Sequence, residues 1–300
     1  MGISLFHIYN TVCAVTLSSY GITFRSCYYG IENRTMCKVI SISNQKGGVA
    51  KMVTSVNMGI GLAREGKKVL LIDADPQGSL TISMGYEYPD KMDVSLATIM
   101  MKVINDEPVS PSEGILYHEE GVDLLPRNIE LSGLEISMNG VISRETVLRQ
   151  YVDMMRDHYD YIICDCMSSL GILTINALVC ADSVLIPVSA GYLPVSGLEQ
   201  LIKTIGRVKR QLNPKLKIEG ILLTMVDSRT NYAKDIVHQV HEAYSSAVRV
   251  FDTQIMMSVR AAETSAEGSS LYQYDPKGKA ATAYLELVNA VIGREAVSNG

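Results

Sequence analysis

The segment Ile40-Ser41-Ile42-Ser43-Asn44-Gln45-Lys46-Gly47-Gly48-Val49-Ala50-Lys51 limits the fold more than any other stretch of the chain. A β-branched run enters a glycine-containing turn and leaves it as a helix, the repeating joint of α/β architecture. Glycines let backbone N–H groups close around anionic oxygens, and the helix N-terminus adds partial positive charge. Lys51 then stands where an ammonium reaches a bound phosphate. The stock pattern G-x-x-x-x-G-K-[ST] is not met, because Gln45, Ala50 and Met52 occupy three of its positions. On this segment alone, an ordinary strand–turn–helix junction competes with an anion site.

Downstream, short β-branched runs alternate with helical patterns. Strands are predicted over Val39–Ser43, Val69–Asp73, Val122–Leu125, Tyr161–Asp165, Ser183–Val188, Gly220–Val226 and Val248–Phe251. Several are continuous apolar runs, as in strands covered on both faces. Helices are predicted over Lys51–Glu65, with Gly66 as its stop, and over Val195–Leu212, whose apolar residues recur at helical spacing. The fold expected is α/β, a mostly parallel twisted sheet with helices on both faces. No repeat or linker interrupts the pattern, so residues 36–300 read as one domain. Residues 1–35 differ in composition, being rich in Ser, Tyr, Thr and Cys, and hold no Lys or Arg before Arg25. They read as a leader that is poorly ordered or outside the functional frame, with Met36 as the working start.

The net charge of -5 excludes a globally basic nucleic-acid binder, so any DNA contact needs a local basic patch. The 6 cysteines show no CxxC pair and no spacing that suits a metal, and buried thiols are the plainer reading. No apolar stretch reaches the ~18 residues of a membrane span.

Acidic residues cluster at strand ends. Val69–Ile72 runs into Asp73-Ala74-Asp75-Pro76-Gln77-Gly78, and Tyr159-Asp160-Tyr161-Ile162-Ile163-Cys164 runs into Asp165. Carboxylates there fall at the carboxyl edge of the sheet, where ligands of open α/β folds bind. An apolar strand tipped with Asp suits Mg²⁺ coordination beside a phosphate. Core packing explains such tips poorly, since an unpaired buried carboxylate is costly.

With these residues in view, the chain resembles the ParA family of partition ATPases, P-loop NTPases related to MinD and the nitrogenase iron protein. Lys46-Gly47-Gly48-Val49-Ala50-Lys51 is similar to the deviant Walker A motif KGGVGKT. The likeness continues through Val56-Asn57, Gly66 to Gly78, Tyr159 to Gly171, Gly220 to Met225, Ser258 to Glu263 and Tyr274 to Ala281. The resemblance implies ATP and Mg²⁺ as ligands, bound by Lys46, Gly47, Gly48, Val49, Ala50, Lys51, Met52 and Val53. It implies that Lys46 reaches nucleotide across a homodimer, that Lys51 binds phosphate, and that Asp75 serves hydrolysis. Asp73 and Asp165 match the carboxylates around the metal. A dimer that forms with ATP, non-specific DNA, a ParB-type partner and a cytoplasmic, nucleoid-associated location belong to the same expectation. So does a role in plasmid or chromosome partitioning.

Ala50 and Met52 depart from the family's Gly and Thr, and Val53 replaces its next Thr. A Cβ at Ala50 costs about 1 kcal/mol where the loop takes φ > 0, or intrudes on phosphate. A thioether at Met52 is a poor partner for a hard cation. Cys166-Met167-Ser168 also lacks the two prolines the family places after its Asp-Cys. Nucleotide binding is therefore expected in weakened form, with hydrolysis low or absent. Lys203, Arg207, Lys209 and Arg210 lie in a stretch free of acids, and Arg229 and Arg260 follow. Solvated helix charges are the plain reading of each; a phosphate-contacting patch is the functional one. Two alternatives stay open: a hydrolysis-defective DNA-binding or regulatory module on the same fold, and a MinD-like positioning protein. The apolar, mildly acidic tail Ala283–Glu295 suits core packing better than lipid and disfavours the second.

Overall fold

The computed structural model describes residues 36–190 and 195–298, with three strands before them. Those strands are β1 (Ile3–Ile8), β2 (Thr11–Ser18) and β3 (Gly21–Ser26), paired antiparallel in the order β1-β2-β3. Chain contacts divide the molecule between Met36 and Cys37 into two units. Residues 27–35 of the expected leader lie outside the described residues.

The larger unit is built on β4 (Lys38–Ile42), β5 (Val69–Ala74), β6 (Leu116–Tyr117), β7 (Asp123–Leu125), β8 (Tyr161–Cys166), β9 (Ser183–Ser189), β10 (Lys217–Val226) and β11 (Val250–Met256). These form an 8-stranded sheet in the order β11-β10-β9-β4-β8-β5-β7-β6. All neighbours are parallel except β6 and β7. The expected mostly parallel sheet is thus present, and the strand ends differ from the sequence reading in local ways. β11 starts later than the apolar Val248 implies, because the Val248 N–H closes the preceding helix onto the Tyr244 carbonyl at 2.8 Å. The short antiparallel edge β6 has too few residues to leave a periodic signal.

Helices are α1 (Lys51–Arg64), α2 (Ser79–Ser83), α3 (Leu96–Ile104), α4 (Glu130–Ser137), α5 (Val147–Met155), α6 (Ile172–Cys180) and α7 (Val195–Gln211). They continue as α8 (Asn231–Tyr244), α9 (Val259–Glu267), α10 (Leu271–Tyr274) and α11 (Lys279–Ser298). Successive strand residues point to opposite faces, and two cores result. Val39, Leu70, Ile162 and Val184 pack with α3 to α8. Ile40, Leu71, Ile163 and Leu185 pack with α1, α2, α10 and α11. In the tail, Tyr284, Leu287, Val288 and Val291 are fully buried in the second core, so this part of α11 is a packing helix.

Close packing secures α1, which carries the loop. A Cβ on Gly61 would stand 2.6 Å from the Tyr272 hydroxyl and 2.8 Å from Val288. Only a residue without a side chain lets α1 approach α10 and α11 this closely. Among the described residues, no helix is long and apolar enough to cross a membrane.

Candidate functional site

The loop between β4 and α1 is anchored before it turns. The Asn44 amide donates to the Pro187 carbonyl at 2.7 Å, and its oxygen accepts the Lys46 N–H at 2.9 Å. Beneath the loop, Val49 is buried and its carbonyl accepts the Thr224 hydroxyl at 3.1 Å. Gly48 has φ +66°, and Ala50 has φ +61° and ψ +33°. The left-handed conformation that favours glycine therefore falls on Ala50, at a cost of about 1 kcal/mol.

No side chain caps α1, and its first turn holds no acid. The N–H groups of Gly47, Gly48, Val49 and Ala50 donate to no backbone carbonyl among the described residues. A run of uncommitted amides at a helix N-terminus is an anion cradle.

Lys51 opens α1 and is only 7% exposed. Its Nζ donates to the Ser168 hydroxyl at 2.5 Å and to the Lys46 carbonyl at 3.3 Å. Burial lowers its pKa, while the charges of Asp165 and Asp75 pull it back up. Burial disfavours the charged form of such an amine, and the neighbouring carboxylates oppose that loss.

Asp73 and Asp165 face each other across the β5–β8 register, both buried. Asp73 is heavily committed: one oxygen accepts the Thr81 N–H at 2.8 Å and hydroxyl at 2.6 Å, the other the Asp75 N–H at 3.2 Å. Burial still pushes its pKa up to about 6 against the pull of the Thr81 bonds. Asp165 accepts the Ser55 hydroxyl at 2.7 Å. Burial, then the Asp73 charge, raise its pKa, and Ser55 and Lys51 oppose the rise. Asp165 keeps acceptor capacity that Asp73 has spent on the turn. Asp75 is half-buried just beyond β5, and its carboxylate accepts the Gln77 N–H at 2.9 Å.

Sequence reasoning did not single out Ser55, Thr81 or Arg127, and it met Ser168 only as the place of a missing proline. Ser55 carried a signal, since it lies one helical turn after Lys51 on the same face of α1. Arg127, 7% exposed, donates to the Gln77 carbonyl at 2.7 Å and to Asp90 at 2.8 Å. A Cβ on Gly78, where φ is +68°, would lie 1.9 Å from Arg127 Nε. The guanidinium thus braces the turn that carries Asp73 and Asp75.

Met52 and Val53 pack against the second core, and the Met52 sulfur lies 4.0 Å from the Ser265 hydroxyl on α9. An apolar side chain gains more from that core than from the polar loop.

The structure brings Lys46 to Val53, Asp73, Asp75 and Asp165 to one edge of the sheet. It does not gather the basic residues into one group. Lys203, Arg207 and Arg210 share a face of α7 at helical spacing, with Lys209 turned away. Arg207 also lines a cavity of about 560 Å³ with Arg144, Gln200 and Thr204. Arg229 is paired with Asp227 at 2.8 Å, and Arg260 with Asp275.

Among the described residues, Cys37, Cys164, Cys166 and Cys180 are free and buried. No group of three His, Cys, Asp or Glu side chains among them converges to hold a metal alone.

The AAA domain family model matches residues 37–218. Sporulation initiation inhibitor protein Soj of Bacillus subtilis is 42% identical over 256 residues, 85% of this chain and 98% of Soj. Chromosome partitioning protein ParA of Myxococcus xanthus is 39% identical over 279 residues, 91% of this chain and 95% of that protein. Among solved structures, cobyrinic acid a,c-diamide synthase of Mycobacterium smegmatis, with bound ADP and magnesium, is 35% identical. It superposes with a TM-score of 0.76 over 88% of this chain and 97% of the other. MinD of Pyrococcus horikoshii, at 21% identity and a TM-score of 0.66, shares the fold. With its strand–loop–helix cradle, its Asp-tipped strands and relatives aligned over nearly their whole lengths, the chain belongs to the ParA/Soj family of P-loop ATPases.

Proposed function

We propose that this chain is an ATP-binding switch in plasmid or chromosome partitioning, with turnover weakened by Ala50 and Met52. One observation carries the reading: uncommitted loop amides open an uncapped α1 beside buried Lys51 and the strand-end acids. That donor set fits nucleotide phosphate, and the nucleotide bound to the M. smegmatis relative supports the choice of ligand. Lys46 to Val53 would hold ATP, with Lys46 reaching the nucleotide of a second copy.

Mg²⁺ takes one or two carboxylates together with substrate phosphates and water. That habit suits a site with carboxylates at two strand tips and no cage of three ligating side chains among the described residues. Asp165 would hold the ion. Asp73, with both oxygens hydrogen-bonded, would support it from behind. The metal would neutralise charge on the terminal phosphates. A thioether at position 52 supplies no hard oxygen for the ion. Asp75 would stand beside the attacking water.

In this reading ATP favours a homodimer, the dimer binds DNA non-specifically in the nucleoid, and a ParB-type partner prompts release. Arg207 and Arg210 on α7 are the contacts the helix face favours; Lys203 pairs with Glu199 at 3.9 Å, Arg229 with Asp227 and Arg260 with Asp275, and Lys209 is turned away. Met52 also supports a second reading, a regulatory module that binds nucleotide and does not hydrolyse it.

The deciding experiment compares ATP turnover of the native chain with Ala50→Gly/Met52→Thr, alongside sizing with and without Mg-ATP. Slow native turnover, a faster double variant and a dimer formed with ATP are expected. Robust native turnover overturns the weakened-site reading. No nucleotide binding in either protein overturns the switch.

A further inference from the structure

We propose that Ser168 is a positioning residue for Lys51, its hydroxyl fixing the ammonium over the phosphate loop so that the terminal phosphates are gripped. This rests on reading the loop as a nucleotide site. The Ser168 oxygen is the nearer of two acceptors for Lys51 Nζ, at 2.5 Å against 3.3 Å for the Lys46 carbonyl. A Cβ built on Gly47 would lie 3.7 Å from the same oxygen. The turn after β8 therefore lies beside the loop, with room for little more than a methyl group between Gly47 and Ser168.

The turn is itself held. The Ser169 hydroxyl accepts the Gly171 N–H at 3.2 Å, and the Ser169 carbonyl accepts the Thr174 hydroxyl at 2.7 Å. Ser168 is thus presented from a base tied into the start of α6. A buried ammonium loses water contacts and depends on each remaining acceptor. A long, flexible lysine stem has many rotamers, and a fixed acceptor reduces that freedom before phosphate arrives. Asp75, Asp165 and Cys166 also face this ammonium electrostatically, but none of them accepts a hydrogen bond from Nζ. Proline, the residue the ParA resemblance leads one to expect here, has no hydroxyl, so the contact belongs to this chain's own sequence.

The test measures ATP and AMP affinity of the full chain by displacement of a fluorescent nucleotide, for native protein, Ser168→Ala and Ser168→Thr. Removing a hydrogen bond to a charged group predicts roughly a tenfold loss of ATP affinity in the alanine variant. Threonine, which keeps the hydroxyl, stays within about twofold of native. AMP lacks the phosphates that Lys51 would reach, so its affinity changes little. Equal ATP affinity in native and alanine proteins overturns the proposal. So does an equal loss for ATP and AMP, which marks a merely structural contact, or a threonine variant as weak as alanine. Failure of the native chain to bind any nucleotide instead overturns the nucleotide site itself.

Discussion

Replacing Ala50 with glycine isolates the cost of the altered loop from its chemistry. Ala50 sits at φ +61° and ψ +33°, inside the left-handed region, where a Cβ crowds the following carbonyl at roughly 1–2 kcal/mol. Glycine removes that penalty but gains freedom in the unfolded chain, which returns about 0.4–1 kcal/mol. The net expectation for Ala50→Gly is a gain of roughly 0.5–1 kcal/mol. For a unit of this size the unfolding midpoint rises by about 1–4 °C. Ala50→Val tests the sign from the other side. A β-branched residue is a true outlier at positive φ, so stability falls by about 1–2 kcal/mol. Thermal and urea unfolding of the full chain without nucleotide give both numbers. The order Gly, Ala, Val in falling stability is expected. A glycine variant no more stable than native, with valine equal to alanine, refutes the strained loop.

Asp73→Asn should change the pH dependence of stability. Burial raises the Asp73 pKa from 3.8 to about 6, so the fold prefers the protonated acid. Its contribution is full below pH 3.8 and is lost as pH rises through about 6, a swing of roughly 3 kcal/mol. The neutral amide escapes that loss, and its stability relative to native should climb between pH 4 and 8 by ~2–3 kcal/mol; a flat difference sinks the reading. Gly78→Ala should destabilise by more than about 2 kcal/mol, because its Cβ meets the buried Arg127 at 1.9 Å. Native-like unfolding of that variant would show that the guanidinium is not fixed. Charge reversal at Arg207 and Arg210 should weaken DNA binding and flatten its salt dependence, read by titration at several salt concentrations. Binding that ignores both changes rules out the α7 surface.

Local signals made much of the site legible. The loop, α1 and the acids at the ends of β5 and β8 are written in adjacent residues: an apolar run, its terminal polar group, a glycine turn. Such patterns reflect backbone sterics and side-chain periodicity, which act over a few residues. Ala50 shows how far that reach extends. Its departure from glycine flagged a strain that the left-handed φ then realised.

Long-range contacts lay outside that reach. Ser55 meets Asp165 across 110 residues, and Lys51 meets Ser168 across 117. They meet because β8 sits between β4 and β5, an order set by how the crossovers pack the two helical layers. The same holds for Arg127 under the Gly78 turn and for Met52, whose direction depends on α9 arriving from the far end of the chain. The chain alone determined that strands end in carboxylates beside a phosphate-type loop. Which carboxylate is saturated, which lysine is held and which hydroxyl holds it were decided only when burial left those polar groups each other as partners.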